Sequence, residues 1–164
     1  MVGIDYIDYE QALKIYHKTI DKSGGGIIGV RDEGGIKLML NNVQNDIYYP
    51  EIADKAAYMM FSLCRGHYFN DCNKRISLTL TMFFFLQNGY LFVAQNFMKN
   101  MEEIVLDLAA GCMDRDLLTE IMNYLVNDED YSESILLGIA NARAKRLEIE
   151  KLSYFLLANY LIEK

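Results

Sequence analysis

The segment from Cys72 to Gln87 constrains the fold most. If it is helical, Ile76, Leu78, Leu80, Met82, Phe83, Phe84, Phe85 and Leu86 put apolar side chains on nearly every side. A helix without a polar face has to be surrounded, so this one is expected at the centre with other elements packed around it. Asn88-Gly89 supplies its stop signal. The chain holds a single proline in 164 residues, and its glycines concentrate between Gly24 and Gly35. Most of the sequence is therefore free to be helical, and the expected class is all-α.

The surrounding helices can be read from their apolar periodicity. Tyr9 to Lys22 predicts a first helix with Asp8 as N-cap and a stripe of Ala12, Leu13, Ile15, Tyr16 and Ile20. His17 lies on that helix and reads as structural or surface exposed. Ile36 to Asn45 predicts a short helix with Leu38, Met39 and Val43 facing inward. Another runs to Cys64 with Pro50 at its first helical position. Tyr90 to Ala94 reads as a short extended link, with Asn96 capping a helix that continues through Leu108 to Gly111. Asp114 or Asp116 starts a further helix containing Leu117, Leu118, Ile121, Met122 and Leu125.

From Ser132 to about Glu163 the pattern fits one long helix or two stacked ones. The alternating charges from Arg143 to Lys151 predict a solvated face. The apolar end, from Tyr154 to Ile162, has to pack on the body or on a partner. The division expected is a main domain over residues 1–126 and a C-terminal helical extension over 127–164.

Charge and cysteine usage narrow the function classes. A net charge of −7 argues against direct binding of nucleic acid over the whole surface, which requires clustered Lys and Arg. The N-terminus has no basic region followed by an apolar run, and no stretch reaches the roughly 18 apolar residues of a membrane span. A cytoplasmic location is expected. Cys64, Cys72 and Cys112 show no C-x-x-C spacing, so free thiols are expected rather than disulfides or a zinc site.

The chemistry concentrates in Arg65-Gly66-His67-Tyr68-Phe69-Asn70-Asp71-Cys72-Asn73-Lys74-Arg75, at the junction between two helices. Three cations here face one carboxylate, a positive patch on an acidic chain that suits a small phosphorylated ligand. If the central helix starts at Asn70 or Asp71, its free N–H groups and its dipole favour an anion beside Asn73, Lys74 and Arg75. Asp71 is the only carboxylate, enough for a magnesium ion already bound to phosphates. His67 is the side chain suited to taking a proton from an incoming hydroxyl. Phe69 reads as an anchor in the core. The bland alternative makes Asp71 a helix cap and Lys74 and Arg75 solvated charges; the combination of residue types favours phosphate transfer. The stretch from Ser23 to Gly35 reads as a loop or short hairpin, either a plain connector or a flap that approaches a ligand closely.

His67 to Arg75 resembles the H-x-F-x-[DE]-[AG]-N-[GK]-R signature of the Fic/Doc (Fido) fold, closest to the Doc, or death-on-curing, toxin branch. Residues from about 4 to 126 share the resemblance: Gly25 to Gly34 is similar to the flap of those toxins, and Gln87-Asn88-Gly89 and Leu108-Ala109-Ala110-Gly111 also recur in them. The resemblance implies a helical bundle in which His67 activates a target hydroxyl and Asp71 binds Mg2+. Asn73, Lys74 and Arg75, with Cys72 beside them, would hold the phosphates of ATP.

Fic enzymes usually transfer AMP; the Doc branch transfers the γ-phosphoryl group to elongation factor Tu and is paired with an antitoxin. Fic enzymes carry glycine where Lys74 stands and a second arginine where Leu78 stands, so the resemblance favours a kinase. AMP transfer, or a silent interaction module binding through the C-terminal helices, is the alternative, and those helices are also a candidate surface for a homo-oligomer. Cys72 departs from the usual Ala or Gly and implies redox sensitivity. Ile76-Ser77 replaces the usual Thr-Ala, and no [ST]-x-x-x-E-[GN] inhibitory motif is found.

Overall fold

The computed structural model describes residues 3–24 and 26–162, and Gly25 of the expected flap falls outside it. In chain order the helices are α1 (Tyr9–Ser23), α2 (Glu33–Asn42), α3 (Ile52–Arg65), α4 (Asn73–Gln87), α5 (Leu91–Ala109), α6 (Arg115–Asn127) and α7 (Glu133–Ile162). The fold is all-α. Among the described residues there is no strand, and the one isolated bridge pairs Val30 with Phe69.

α4 is the central helix, in contact with α1, α3 and α5, while α6 packs on α3. Ile76, Leu80, Phe84 and Phe85 are buried along it together with the polar Ser77 and Thr81. Its neighbours start where local chemistry starts them. Asp8 and Gln11 form a reciprocal capping box on α1, Gln11 N–H to Asp8 Oδ1 at 2.8 Å and Asp8 N–H to Gln11 Oε1 at 3.0 Å. Asp114 caps α6 by accepting from the Leu117 N–H at 2.9 Å. Among the described residues no helix is long and apolar enough to cross a membrane.

Four local expectations differ from what forms. Pro50 precedes α3 rather than opening it, because Glu51 is the N-cap and forms its own box with Asp54. α2 begins at Glu33, capped by Asp32, so Gly34 and Gly35 are helical. That start sets the helix phase: Ile36, Met39, Leu40 and Val43 are buried, and Leu38 points outward. No extended link precedes α5. A turn at Asn88 and Gly89, the latter at φ 85°, reverses the chain, so Tyr90 is the N-cap and Asn96 lies within the helix.

The fourth difference concerns α7. It is one continuous helix of 30 residues, fastened to α5 and α6 by its first half only. Ile135 and Ala142 are buried there. Gly138 passes Leu117 so closely that a Cβ would lie 3.0 Å from its Cδ1. Of the charges expected on a solvated face, Lys145, Glu148, Glu150 and Lys151 are exposed, but Arg143 and Arg146 turn inward. Asp107 of α5, fully buried, accepts from Arg146 Nε at 2.7 Å and from Arg143 Nε at 3.0 Å. Arg146 also donates to Glu103 at 2.6 Å and to Glu150 at 2.8 Å. Hydrogen bonding to Asp107, above all, raises the Arg146 pKa. A buried carboxylate needs such partners, and sequence separations of 36 and 39 residues hide the need from periodicity. Beyond Arg146 the helix leaves the body: Leu152, Tyr154, Phe155, Leu156 and Leu157 are 56–73% exposed, so this end does not pack on the body.

Candidate active site

Between α3 and α4 the chain bends through two residues in the left-handed region, His67 at φ 50° and Cys72 at φ 70°. Such a conformation costs a side-chain-bearing residue roughly 1–2 kcal/mol, and the surroundings hold it in place. Phe69 is 1% exposed and stacks on Tyr16 with ring centroids 4.1 Å apart. The Asn73 amide grips the backbone of the same residue: Oδ1 accepts from the Phe69 N–H at 3.1 Å, and Nδ2 donates to the Phe69 carbonyl at 2.9 Å.

The glycine-rich segment clamps the loop from outside. The N–H groups of Arg31 and Asp32 both donate to the Tyr68 carbonyl, at 2.8 and 3.0 Å, and the Asn70 N–H donates to the Gly29 carbonyl at 3.0 Å. Tyr16 fixes Gly29 in turn, its hydroxyl accepting from the Gly29 N–H at 3.0 Å and donating to its carbonyl at 3.3 Å. This half is a fixed brace rather than a hairpin. The other half carries the exposed Ile27 and Ile28 and crosses the polar loop closely. A Cβ on Gly26 would stand 3.0 Å from Cys72 Sγ and 3.1 Å from Asp71 Oδ2.

Tyr68 is a residue that the sequence reading left without a role. A Cβ on Gly35 would come within 2.6 Å of its ring and one on Gly66 within 2.5 Å. Those two glycines therefore serve as clearance for Tyr68. Their only sequence signal was glycine at a helix start and at a helix end, which ordinary capping also produces.

α4 opens two to three residues later than expected, at Asn73. Cys72 provides no side-chain cap, and the first turn contains no acidic residue. The uncapped end of the dipole favours an anion. It borders a cavity of about 540 Å³ lined by His67, Asn70, Asp71, Cys72, Lys74 and Arg75 among others. His67, Asp71 and Lys74 are exposed to it. The Asp71 carboxylate accepts from the Cys72 N–H at 2.6 Å through Oδ1. Arg75 bridges from the end of α1, at Ser23 Oγ, to Cys72 Sγ.

Two of the predicted residues point elsewhere. Arg65 donates to the carbonyls of Leu108 and Ala109 at 3.1 and 3.5 Å, closing the C-terminal end of α5. Asn73 spends its amide on Phe69 and so acts through the loop. Burial raises the Cys72 thiol pKa, against the lowering pull of Arg75. Burial also pushes that of Cys64, in the cavity wall, up to about 11.

Residues 6–85 match the Fic/DOC family. The protein kinase Doc of Escherichia phage P1 is 33% identical over 88 residues, 51% of this chain and 68% of that protein. Toxin Doc of Mycolicibacterium smegmatis is 31% identical over 116 residues, covering 68% of this chain and 86% of the relative. The chain belongs to the Fic/Doc family. The Fic/Doc motif thus occupies the loop from His67 to Cys72 and the first turn of α4, braced by α1 and the glycine-rich segment. The left-handed φ of Cys72 also gives a physical reason for the small residue of the signature there, since glycine adopts that conformation without cost.

Asp71 suits a divalent ion shared with phosphates: it is the only carboxylate lining the cavity. Among the described residues no three His, Cys, Asp or Glu side chains gather into a metal cluster. A magnesium ion held by Asp71 would need its other ligands from phosphate oxygens and water, as that ion commonly takes them.

Proposed function

We propose that the chain is a Doc-like toxin, a kinase that transfers the γ-phosphoryl group of ATP to a hydroxyl of a target protein of the elongation factor Tu kind, and so inhibits translation. The observation that carries this reading is the uncapped start of α4, with Lys74 and Arg75 in its first turn, opening into the same cavity as His67 and Asp71. The relatives' names, a protein kinase and a toxin, support it, and with them a cognate antitoxin as a partner.

In this reading the α4 N–H groups, Lys74 and Arg75 hold the phosphate oxygens. The target hydroxyl oxygen attacks the γ-phosphorus, and the bond from that phosphorus to the β–γ bridging oxygen breaks. ADP departs, and the hydroxyl proton passes to His67. Asp71 would hold Mg2+, and that ion would supply neutralisation of the charge developing on the phosphates. Leu78 stands where AMP-transferring relatives are expected to carry a second arginine, which favours phosphoryl over adenylyl transfer.

The test is incubation with elongation factor Tu and ATP labelled at the α or the γ position. Label is expected on the target from the γ position only, and lost with His67→Ala in a protein of unchanged thermal stability. Label arriving from the α position alone would replace the kinase with an AMP transferase. Nucleotide binding without transfer to any protein would leave an interaction module.

A further inference from the structure

α7 is about 45 Å long at 1.5 Å per residue, and the body supports only its first half. Its buried side carries Ile135, Ala142 and Arg146. At 100° per residue, Leu137, Ala140, Ala144, Leu147, Tyr154 and Phe155 gather on the opposite side. All six are exposed, the four large ones by 51–73%. Most of them recur at the alternating three- and four-residue steps of a helix–helix seam, interrupted by Lys151.

We propose that this face pairs with the same face of a second copy of the chain. The two α7 helices run antiparallel, with the two-fold axis between Leu147 and Glu148. Side-chain size argues for that orientation. The first half of the seam is small, at Ala140 and Ala144, and the second half is large, at Tyr154 and Phe155. Antiparallel pairing sets Ala140 of one copy against Phe155 of the other, and Leu137 against Ala158, so bulk meets space at both ends. Parallel pairing would stack Phe155 on Phe155 and Ala140 on Ala140, crowding one end and leaving a void at the other. Lys151 falls opposite Ala144, where its methylene stem lies along the small residue while the amine reaches water.

The area also fits. Leu137, Leu147, Tyr154 and Phe155 each leave on the order of 100 Å² of apolar surface in water. Together with the alanines and the exposed Leu136, which add roughly 200 Å², they come to about 600 Å² per partner, the lower end of the range for specific interfaces. Because the face is self-complementary, association closes at two copies.

Light scattering on the full chain after size exclusion, at tens of micromolar, is expected to give about twice the 18.9 kDa of one chain. Leu147→Glu, which sets two carboxylates at the axis, is expected to give a monomer with unchanged helical circular dichroism. Under mild oxidation Leu147→Cys is expected to form a disulfide dimer. Phe155→Cys is not, because antiparallel copies hold the two 155 positions about 22 Å apart along the axis. A monomeric wild-type chain, a dimer indifferent to Leu147→Glu, or Phe155→Cys linking as readily as Leu147→Cys would each overturn the proposal.

Discussion

Replacing Asn73 by alanine separates holding the loop from holding phosphate. In the structure the Asn73 amide spends both ends on Phe69, 3.1 Å from its N–H and 2.9 Å from its carbonyl. Alanine removes both partners and leaves one donor and one acceptor unsatisfied in a part-buried loop. Each lost partner costs about 1 kcal/mol at partial burial, so the expected loss is about 2 kcal/mol. For a chain of this size that lowers Tm by about 4–8 °C. The Phe69 amide, its hydrogen bond gone, should exchange with solvent roughly 10–30 times faster. Thermal melts and hydrogen exchange resolved at Phe69 measure the two effects. Were Asn73 chiefly a phosphate donor, alanine would weaken ATP binding with Tm within 1 °C of wild type and Phe69 exchange unchanged. That result would refute the positioning role.

Two further outcomes test the buried chemistry. Asp107→Asn leaves the guanidinium groups of Arg143 and Arg146 without their buried counter-charge, so a loss of about 3–5 kcal/mol is expected in urea denaturation; a loss under 1 kcal/mol would show that Glu103 and Glu150 suffice. The Cys64 thiol, held protonated by burial, has its pKa raised from an ordinary 9.0 to about 11. The folded state therefore favours the neutral form, and the stability this confers is complete below pH 9 and lost as pH rises toward 11. Melts across that range should show Cys64→Ala losing less stability than wild type; parallel curves would contradict it.

Much of the architecture was legible in the chain because its causes are local. A helix apolar on nearly every side, from Ile76 to Phe85, has to be central in any fold, and it is. Asp8 and Asp114 announce helix starts because a capping side chain bonds N–H groups two or three residues on. The spacing of His67, Asp71, Lys74 and Arg75 implied a common cavity for the same reason, since the residues sit on one short loop and one helical turn.

What sequence alone left open depends on groups far apart in the chain. Whether the Asn73 amide faces a ligand or Phe69 depends on a loop bent by left-handed residues at 67 and 72. Arg65 joined the cationic cluster by position, yet the open carbonyls at the end of α5, more than 40 residues on, take its guanidinium. Gly35 and Gly66 look like ordinary helix-end glycines until the Tyr68 ring is seen between them. The charged run from Arg143 reads as solvated until Asp107, buried on α5, turns two arginines inward. Local propensity and periodicity are properties of neighbours along the chain. Counter-ions, clearances and shared hydrogen bonds are properties of neighbours in space, and only the packed helices decide them.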